Sequence, residues 1–383
     1  MAAKRTTKKA TKNATPKRKA STPKKQQATQ LQVMAEANEF LGKRHKGMVV
    51  KMDSLDNTVP GYVSSQSLAL DWIIGNGGFP MSRIWDITGD EGVGKSTVGD
   101  HLMAEIQRVG GHCYLWDTEN ARDDRYQENI GIIRKRASQI LAHTMEDGFA
   151  VMLDIVSWYT ANDPGRPGFI LWDTPAGTPT KDEVDPEKKA SPFGPAKLIR
   201  EQLRLLNQQL QQGKWIFGVV NQTYMGKTAR NQAVQVAYGG GGIPYYSSVR
   251  LQCSHPKRFW RTASDKEIGF PPLGQTVWVR CVKNRVGMPW RSKQICIQFG
   301  QGISNVWEVF QELVKVGAIK NNKGHCSFDP DYDQTLYDMY PKSFQASVGE
   351  GGHLKFEALV MQIEGMWERL LEVYHEIDRG EHA

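Results

Sequence analysis

The chain has 383 residues, of which 39% are hydrophobic and 23% charged, the composition of a globular protein with one large core and a smaller appendage. The longest apolar run is WIFGVV at 215–220, well short of the roughly 18 residues of a membrane span, and the N-terminus lacks the apolar stretch of a secretory signal. The net charge of +8 is concentrated at one end: residues 1–30 hold ten Lys or Arg and no acid, and removing ten from 49 leaves 39 basic against 41 acidic residues.

Taken in order, residues 1–30 are rich in Thr, Ala, Pro and Lys and have nothing to build a core. A disordered basic tail is expected, with a polyanion, foremost nucleic acid, as its partner. Order is expected from Leu31, where Val33, Met34, Ala37, Phe40 and Leu41 share one helical face. RIWDIT (83–88) reads as a strand running into a Gly-rich turn and a helix from Lys95. HCYLWD (112–117), GFILWD (168–173) and WIFGVV (215–220) are further short apolar runs between helical patterns. That alternation predicts an α/β fold with a mostly parallel sheet covered by helices.

Residues 195–212 form an amphipathic helix with Ile199, Leu203, Leu206 and Leu210 on its buried side and Lys197, Arg200 and Arg204 on another. Strands are expected at 246–253, 275–283 and 293–298, and helices at 305–317 and 354–376. The last carries Phe356, Leu359, Val360, Ile363, Trp367, Leu370, Leu371 and Tyr374 on one stripe, the packing of a small C-terminal domain. Cys113, Cys253, Cys281, Cys296 and Cys326 are scattered and form no CxxC pair, so they read as reduced thiols in a cytoplasmic protein without a zinc site.

Gly89-Asp90-Glu91-Gly92-Val93-Gly94-Lys95-Ser96 fits GxxxxGK[ST] at every fixed position, with Thr97 next, between a predicted strand and a predicted helix. Such a loop turns backbone N–H groups toward phosphate at a helix N-terminus. Lys95 is expected to reach the β- and γ-phosphates and Ser96 to ligate Mg²⁺. A metal-side carboxylate is expected at the end of an apolar strand, and both Asp173 and Asp117 satisfy that. Glu119, two residues past YLWD at the carboxyl edge of the sheet, is the candidate for activating water.

These residues resemble the RecA family of recombinases. The blocks SSQSLALDWIIGNGGFPMSRIWDITGDEGVGKST (64–97), YLWDTENARDDRY (114–126), VVNQ (219–222), the Gly-rich stretch through YYSSVR and VKNRVGMPW (282–290) follow the family's order across roughly 31–325. The resemblance implies an ATP-dependent DNA recombinase that forms helical filaments on single-stranded DNA and pairs it with duplex DNA. Single-strand-binding and mediator proteins are implied as further partners. It implies Glu119 as catalytic glutamate, Asp123 and Tyr126 at adenine, and Gln222 as γ-phosphate sensor. Lys283 and Arg285 match cations lent to a neighbouring subunit's ATP.

DNA contacts are implied for two loops, near 177–194 and 223–241. The residues concerned are Lys197, Arg200 and Arg204 after the first loop, and Met225, Lys227, Arg230, Gly239 and Gly240 in the second. Gly239 to Gly242 read as a hinge before a Tyr-rich strand. Phe40 and Tyr245 are implied at the subunit interface. The implied domains are a tail at 1–30, a polymerisation segment at 31–63, the ATPase core at 64–302 and a C-terminal domain at 303–383. This sequence departs from bacterial members in its first loop (KDEVDPEKKASPF), in Pro244, in Arg285 for a lysine, and in lacking an evident apolar wedge. Lys227 stands near the wedge position, with Met225 and Phe193 as substitutes. The alternative is a ring-forming helicase or accessory ATPase of the same fold.

Overall fold

The structure is a computed structural model that describes residues 23–46 and 58–379, apart from 121, 189–190, 192, 228–232, 262 and 347–352. The chain divides into two compact units at Thr58. In the first, one helix, α1, spans Pro23–Arg44. It starts eight residues before the point where order was expected, so the residue 30/31 boundary falls inside a helix. Of the tail expected at 1–30, residues 1–22 lie outside the described residues and 23–30 belong to this helix. Val33, Met34 and Phe40 are exposed along α1.

The second unit is built on a ten-stranded sheet. Its strands are β1 (Ile84–Gly89), β2 (His112–Asp117), β3 (Ala137–Gln139), β4 (Gly168–Asp173), β5 (Trp215–Lys227), β6 (Ala233–Ala237), β7 (Val249–Phe259), β8 (Gly274–Asn284), β9 (Ser292–Gln298) and β10 (Gly302–Ile303). Their order is β10-β9-β8-β7-β1-β5-β4-β2-β3, with β6 paired to β5. From β3 to β7 neighbouring strands run parallel, and β8, β9 and β10 add antiparallel pairs. Every residue of β1 and β4 is buried, which is why these strands are continuous apolar runs rather than alternating ones.

Helices α2 (Leu68–Ile74), α3 (Lys95–Arg108), α4 (Asp124–Ile130), α5 (Met145–Asn162) and α6 (Gly194–Leu210) accompany the sheet. One core cluster joins α2 and α3 to β1 and to β7–β9, and a second joins α5 and α6 to β2, β4 and β5. In α6 the four apolar residues Ile199, Leu203, Leu206 and Leu210 are fully buried. Lys197, Arg200 and Arg204 are exposed, so the amphipathic pattern is realised as read.

Residues after Ser304 form their own apolar cluster around α7 (Asn305–Val316), α8 (His353–Val360) and α9 (Met366–Arg379). The single helix expected at 354–376 is two helices. The apolar spacing continues through the break, but Gly365 takes a left-handed φ of 75°, a conformation glycine adopts at little cost. The polar stretch before it holds a short three-stranded sheet, which the sequence reading missed. A second correction concerns 242–246. The segment after the glycines is a short helical turn, Gly242–Tyr246, and the following strand begins at Val249.

Candidate functional site

The turn from β1 to α3 is made by Gly89–Gly94. Gly94 has φ 88° at the N-cap of α3 and no side chain caps the helix there, so the first N–H groups of α3 are open to an anion. No acid sits in the first turn of α3. Lys95 Nζ donates to the Asp90 carbonyl at 2.6 Å, folding its ammonium back over the loop. Burial lowers the Lys95 pKa, against the pull of nearby acids including Asp173, Glu119 and Asp90. Val93 points into the core instead. Gln275 on β8, which sequence reasoning missed, holds the loop from the other side by donating to the Gly92 carbonyl at 2.7 Å.

A cavity of about 560 Å³ opens beside this turn, lined among others by Glu91, Lys95, Ser96, Thr97, Glu119, Tyr126, Asp173 and Gln222. Its size is that of a small-molecule or nucleotide site. Ser96 Oγ donates to Asp173 Oδ2 at 2.7 Å. Asp117 is the parallel-register neighbour of Asp173, but its carboxylate accepts the backbone N–H groups of Glu119 and Asn120 at 3.1 and 3.0 Å. Of the two rivals, Asp173 meets Ser96 and Asp117 shapes the loop that carries Glu119.

Glu119 faces Gln222, whose Nε2 donates to Glu119 Oε1 at 2.7 Å. The Glu119 pKa is raised, first by desolvation and then by the charges of Asp173 and Asp117. Asp123 caps α4 by accepting the Tyr126 N–H at 2.8 Å, and Tyr126 Oη lies 3.0 Å from Thr97 Oγ1. Both Asp123 and Tyr126 line the cavity, as do Phe299 and Gly300, two residues the sequence reading did not single out. Arg122 was also missed. It is almost enclosed, paired with Asp100 at 3.0 Å and Asp173 at 2.9 Å, with Asp117 at 3.8 Å. Burial opposes its charge, but the three aspartates outweigh burial and raise its pKa.

Lys283 and Arg285 lie away from this cavity. Lys283 Nζ donates to the carbonyls of Pro244 and Tyr245 at 2.7 and 3.0 Å, and Arg285 Nη2 to that of Tyr245 at 3.1 Å. Burial first, then the charges of Arg285 and Arg250, lower the Lys283 pKa to about 8. Tyr245 is exposed beside them.

Residues 32–304 match the RecA N-terminal domain family. Protein RecA of Campylobacter fetus subsp. fetus is 31% identical over 286 residues, 74% of this chain and 79% of that protein. Protein RecA of Bacillus thuringiensis is 29% identical over 287 residues, covering 75% and 80%, and that of Lactiplantibacillus pentosus 29% identical over 287 residues, covering 75% and 72%. The chain belongs to the RecA family. Its role is that of an ATP-dependent DNA recombinase, and no helix among the described residues is long and apolar enough to cross a membrane.

Against this RecA family frame, the second expected loop is largely ordered. Strand β5 runs on past Gln222 and pairs with β6, from Thr223 opposite Ala237 to Lys227 opposite Ala233. Met225 and Lys227 have their backbone in that hairpin, and Arg230 lies outside the described residues. The hairpin ends on the glycines. Gly239 and Gly240 take φ of 82° and 64°, and a Cβ on Gly239 would come within 2.9 Å of Ile199 Cδ1. These glycines therefore fit the chain's own helix α6, a role the expected hinge did not include. Phe193, at the start of α6, is 80% exposed.

Proposed function

We propose that the chain binds Mg²⁺–ATP in the cavity beside Lys95, polymerises as a helical filament on single-stranded DNA and promotes strand exchange with duplex DNA. The observation that carries this is the hydrogen bond from Gln222 to Glu119. It joins the water-activating candidate to the first residues of the hairpin that emerges from β5, so nucleotide state and DNA contact share one strand. The Ser96 hydroxyl and the Asp173 carboxylate present hard oxygen donors side by side, which suits Mg²⁺. When bound, that ion offsets phosphate charge and orients the β- and γ-oxygens.

In this reading Glu119 takes the proton of the attacking water, and its raised basicity serves that task. Lys95 and the N–H groups of α3 hold the phosphates, with Gly89, Asp90, Glu91, Gly92, Val93 and Gly94 shaping the loop. Asp123 and Tyr126 hold the base. Lys283 and Arg285, turned away from their own subunit's cavity, serve the neighbour's γ-phosphate in trans, and Phe40 and Tyr245 lie at the joint between subunits. Lys197, Arg200 and Arg204, with the hairpin and Gly239–Gly240, face DNA. The tail, polymerisation, core and C-terminal segments function as assigned from the sequence, in the cytoplasm.

Electron microscopy of the full chain with single-stranded DNA and ATP tests this. Open helical filaments are expected; closed rings would support the helicase reading instead, and particles without polymer would refute the proposal.

A further inference from the structure

Arg122 is a charged group of the nucleotide cavity to which the scheme above gives no task. It enters from the segment between β2 and α4 with only 10% of its side chain exposed. Its Nη2 reaches Asp173 Oδ2, the same oxygen that accepts from Ser96 Oγ. A hydrogen bond from Ser96 on α3 and an ion pair with Arg122 from the β2–α4 segment meet on one oxygen and orient that carboxylate. The guanidinium also meets Asp100 on α3 and lies near Asp117, so three carboxylates surround one monovalent cation and leave this end of the cavity net negative. Yet among the described residues no group of three or more His, Cys, Asp and Glu is arranged to hold a metal ion. Asp100 and Asp173 are directed at the guanidinium, Asp117 is held by the N–H groups of Glu119 and Asn120, and an ion beside Ser96 and Asp173 needs nucleotide phosphate to complete its oxygen shell.

We propose that Arg122 is a positioning residue acting as resident counter-cation among Asp100, Asp117 and Asp173, so that free divalent ions are refused and Asp173 is presented to metal arriving with nucleotide. The inference rests on the reading of Ser96 and Asp173 as the metal-side pair.

The test uses Mn²⁺ as probe, followed by electron paramagnetic resonance on the full chain. Without nucleotide, Arg122→Gln is expected to bind Mn²⁺ at least about tenfold tighter than the parent, the effect of removing one unit charge beside a divalent ion in a partly hydrated site. The double variant Arg122→Gln/Asp100→Asn restores the charge balance and is expected to return to within about threefold of the parent. Arg122→Lys keeps the charge but loses the planar fork. It is expected to match the parent with free Mn²⁺ and to hold Mn²⁺ several-fold more weakly when ATP is present. Parent-like binding by folded Arg122→Gln would overturn the proposal; if that variant does not melt cooperatively, Arg122→Lys decides, and parent behaviour in both measurements overturns it. Asp173→Asn separates the two levels. Unchanged Mn²⁺ binding with ATP in that variant would refute the metal-side pair itself, whatever Arg122 does.

Discussion

Replacing Glu119 by Gln removes one charge and leaves the shape of the side chain. The amide oxygen can still accept from Gln222, whose Nε2 now lies 2.7 Å from Glu119 Oε1, so the loop between β2 and α4 keeps its anchor. What is lost is a base whose pKa is raised by desolvation, Asp173 and Asp117. Positioned general bases contribute about 10²–10⁴ in rate, which is about 2.7–5.4 kcal/mol of barrier. Nucleotide affinity is expected to move the other way. Repulsion between two unit charges about 6 Å apart is about 0.7–1.4 kcal/mol at an effective dielectric of about 40–80, so removing one of them is expected to tighten binding about three- to tenfold. The assay is steady-state ATP hydrolysis at saturating single-stranded DNA beside equilibrium binding of a fluorescent ATP analogue. Turnover within about threefold of the parent would place the base elsewhere and refute the reasoning, because that loss is below the range such a base supplies.

Lys95→Ala and Lys283→Ala are each expected to be inactive in DNA-dependent hydrolysis, yet mixing them should restore measurable activity, since some junctions then pair an intact cavity with an intact cation; no recovery in co-assembled mixtures would refute action in trans. Gly239→Ala should cost about 1–2 kcal/mol in urea unfolding because its φ is left-handed, whereas Gly241→Ala, at φ −79° with nothing near its Cβ position, should be neutral or slightly stabilising. Burial pushes the Glu308 pKa up to about 7 from 4.5, against hydrogen bonds from the Ala69 N–H and the Ser67 hydroxyl, both at 2.8 Å. The folded state therefore keeps a proton that the unfolded state gives up, and stability is full below about pH 4.5 and lost as pH rises through about 7. Glu308→Gln should abolish that slope, about 3 kcal/mol at 1.36 kcal/mol per pKa unit, in urea midpoints compared from pH 5 to pH 8.

Features set by local pattern were legible in the sequence. The phosphate-loop spacing, the apolar runs of β1, β2 and β4 and the stripe of α6 each lie within a few neighbouring residues. Features set by contact between distant segments were not. Asp117 and Asp173 end equivalent runs and sit side by side in the sheet, so only their contacts distinguish them: Ser96 reaches Asp173, while the N–H groups of Glu119 and Asn120 hold Asp117. Nothing in NARDDR marks out Arg122, because Asp100, Asp117 and Asp173 come from three different elements. The hairpin at 223–237 was hidden by its polar, Gly-flanked sequence, which reads as loop although its backbone pairs. In the C-terminal region the helical spacing ran on across a turn, and spacing alone does not reveal where a helix breaks.

The continuity of β5 gives the site its direction of action. Residues 217–220 are held in register between β1 and β4, and Asn221 and Gln222 still pair with Thr88 and Gly89 of β1, so the strand is fixed at that end by a packed core. Its next residues are different in kind. Asn221 is buried and donates to the Tyr238 carbonyl at 3.0 Å, Gln222 reaches Glu119, and the Thr223 hydroxyl lies 3.4 Å from Asp90 Oδ1 in the phosphate loop. Three consecutive side chains thus tie the root of the hairpin to its own far end, to the water-activating candidate and to the phosphate loop. On the proposed reading, a γ-phosphate drawing the Gln222 amide away from Glu119 would change one of these ties while the core-held end stays still. The displacement must then be taken up by β5 beyond Gln222 and by β6. On the function proposed above, this strand is the route by which bound ATP would be coupled to the grip on DNA, with Gln222 as the residue at the junction.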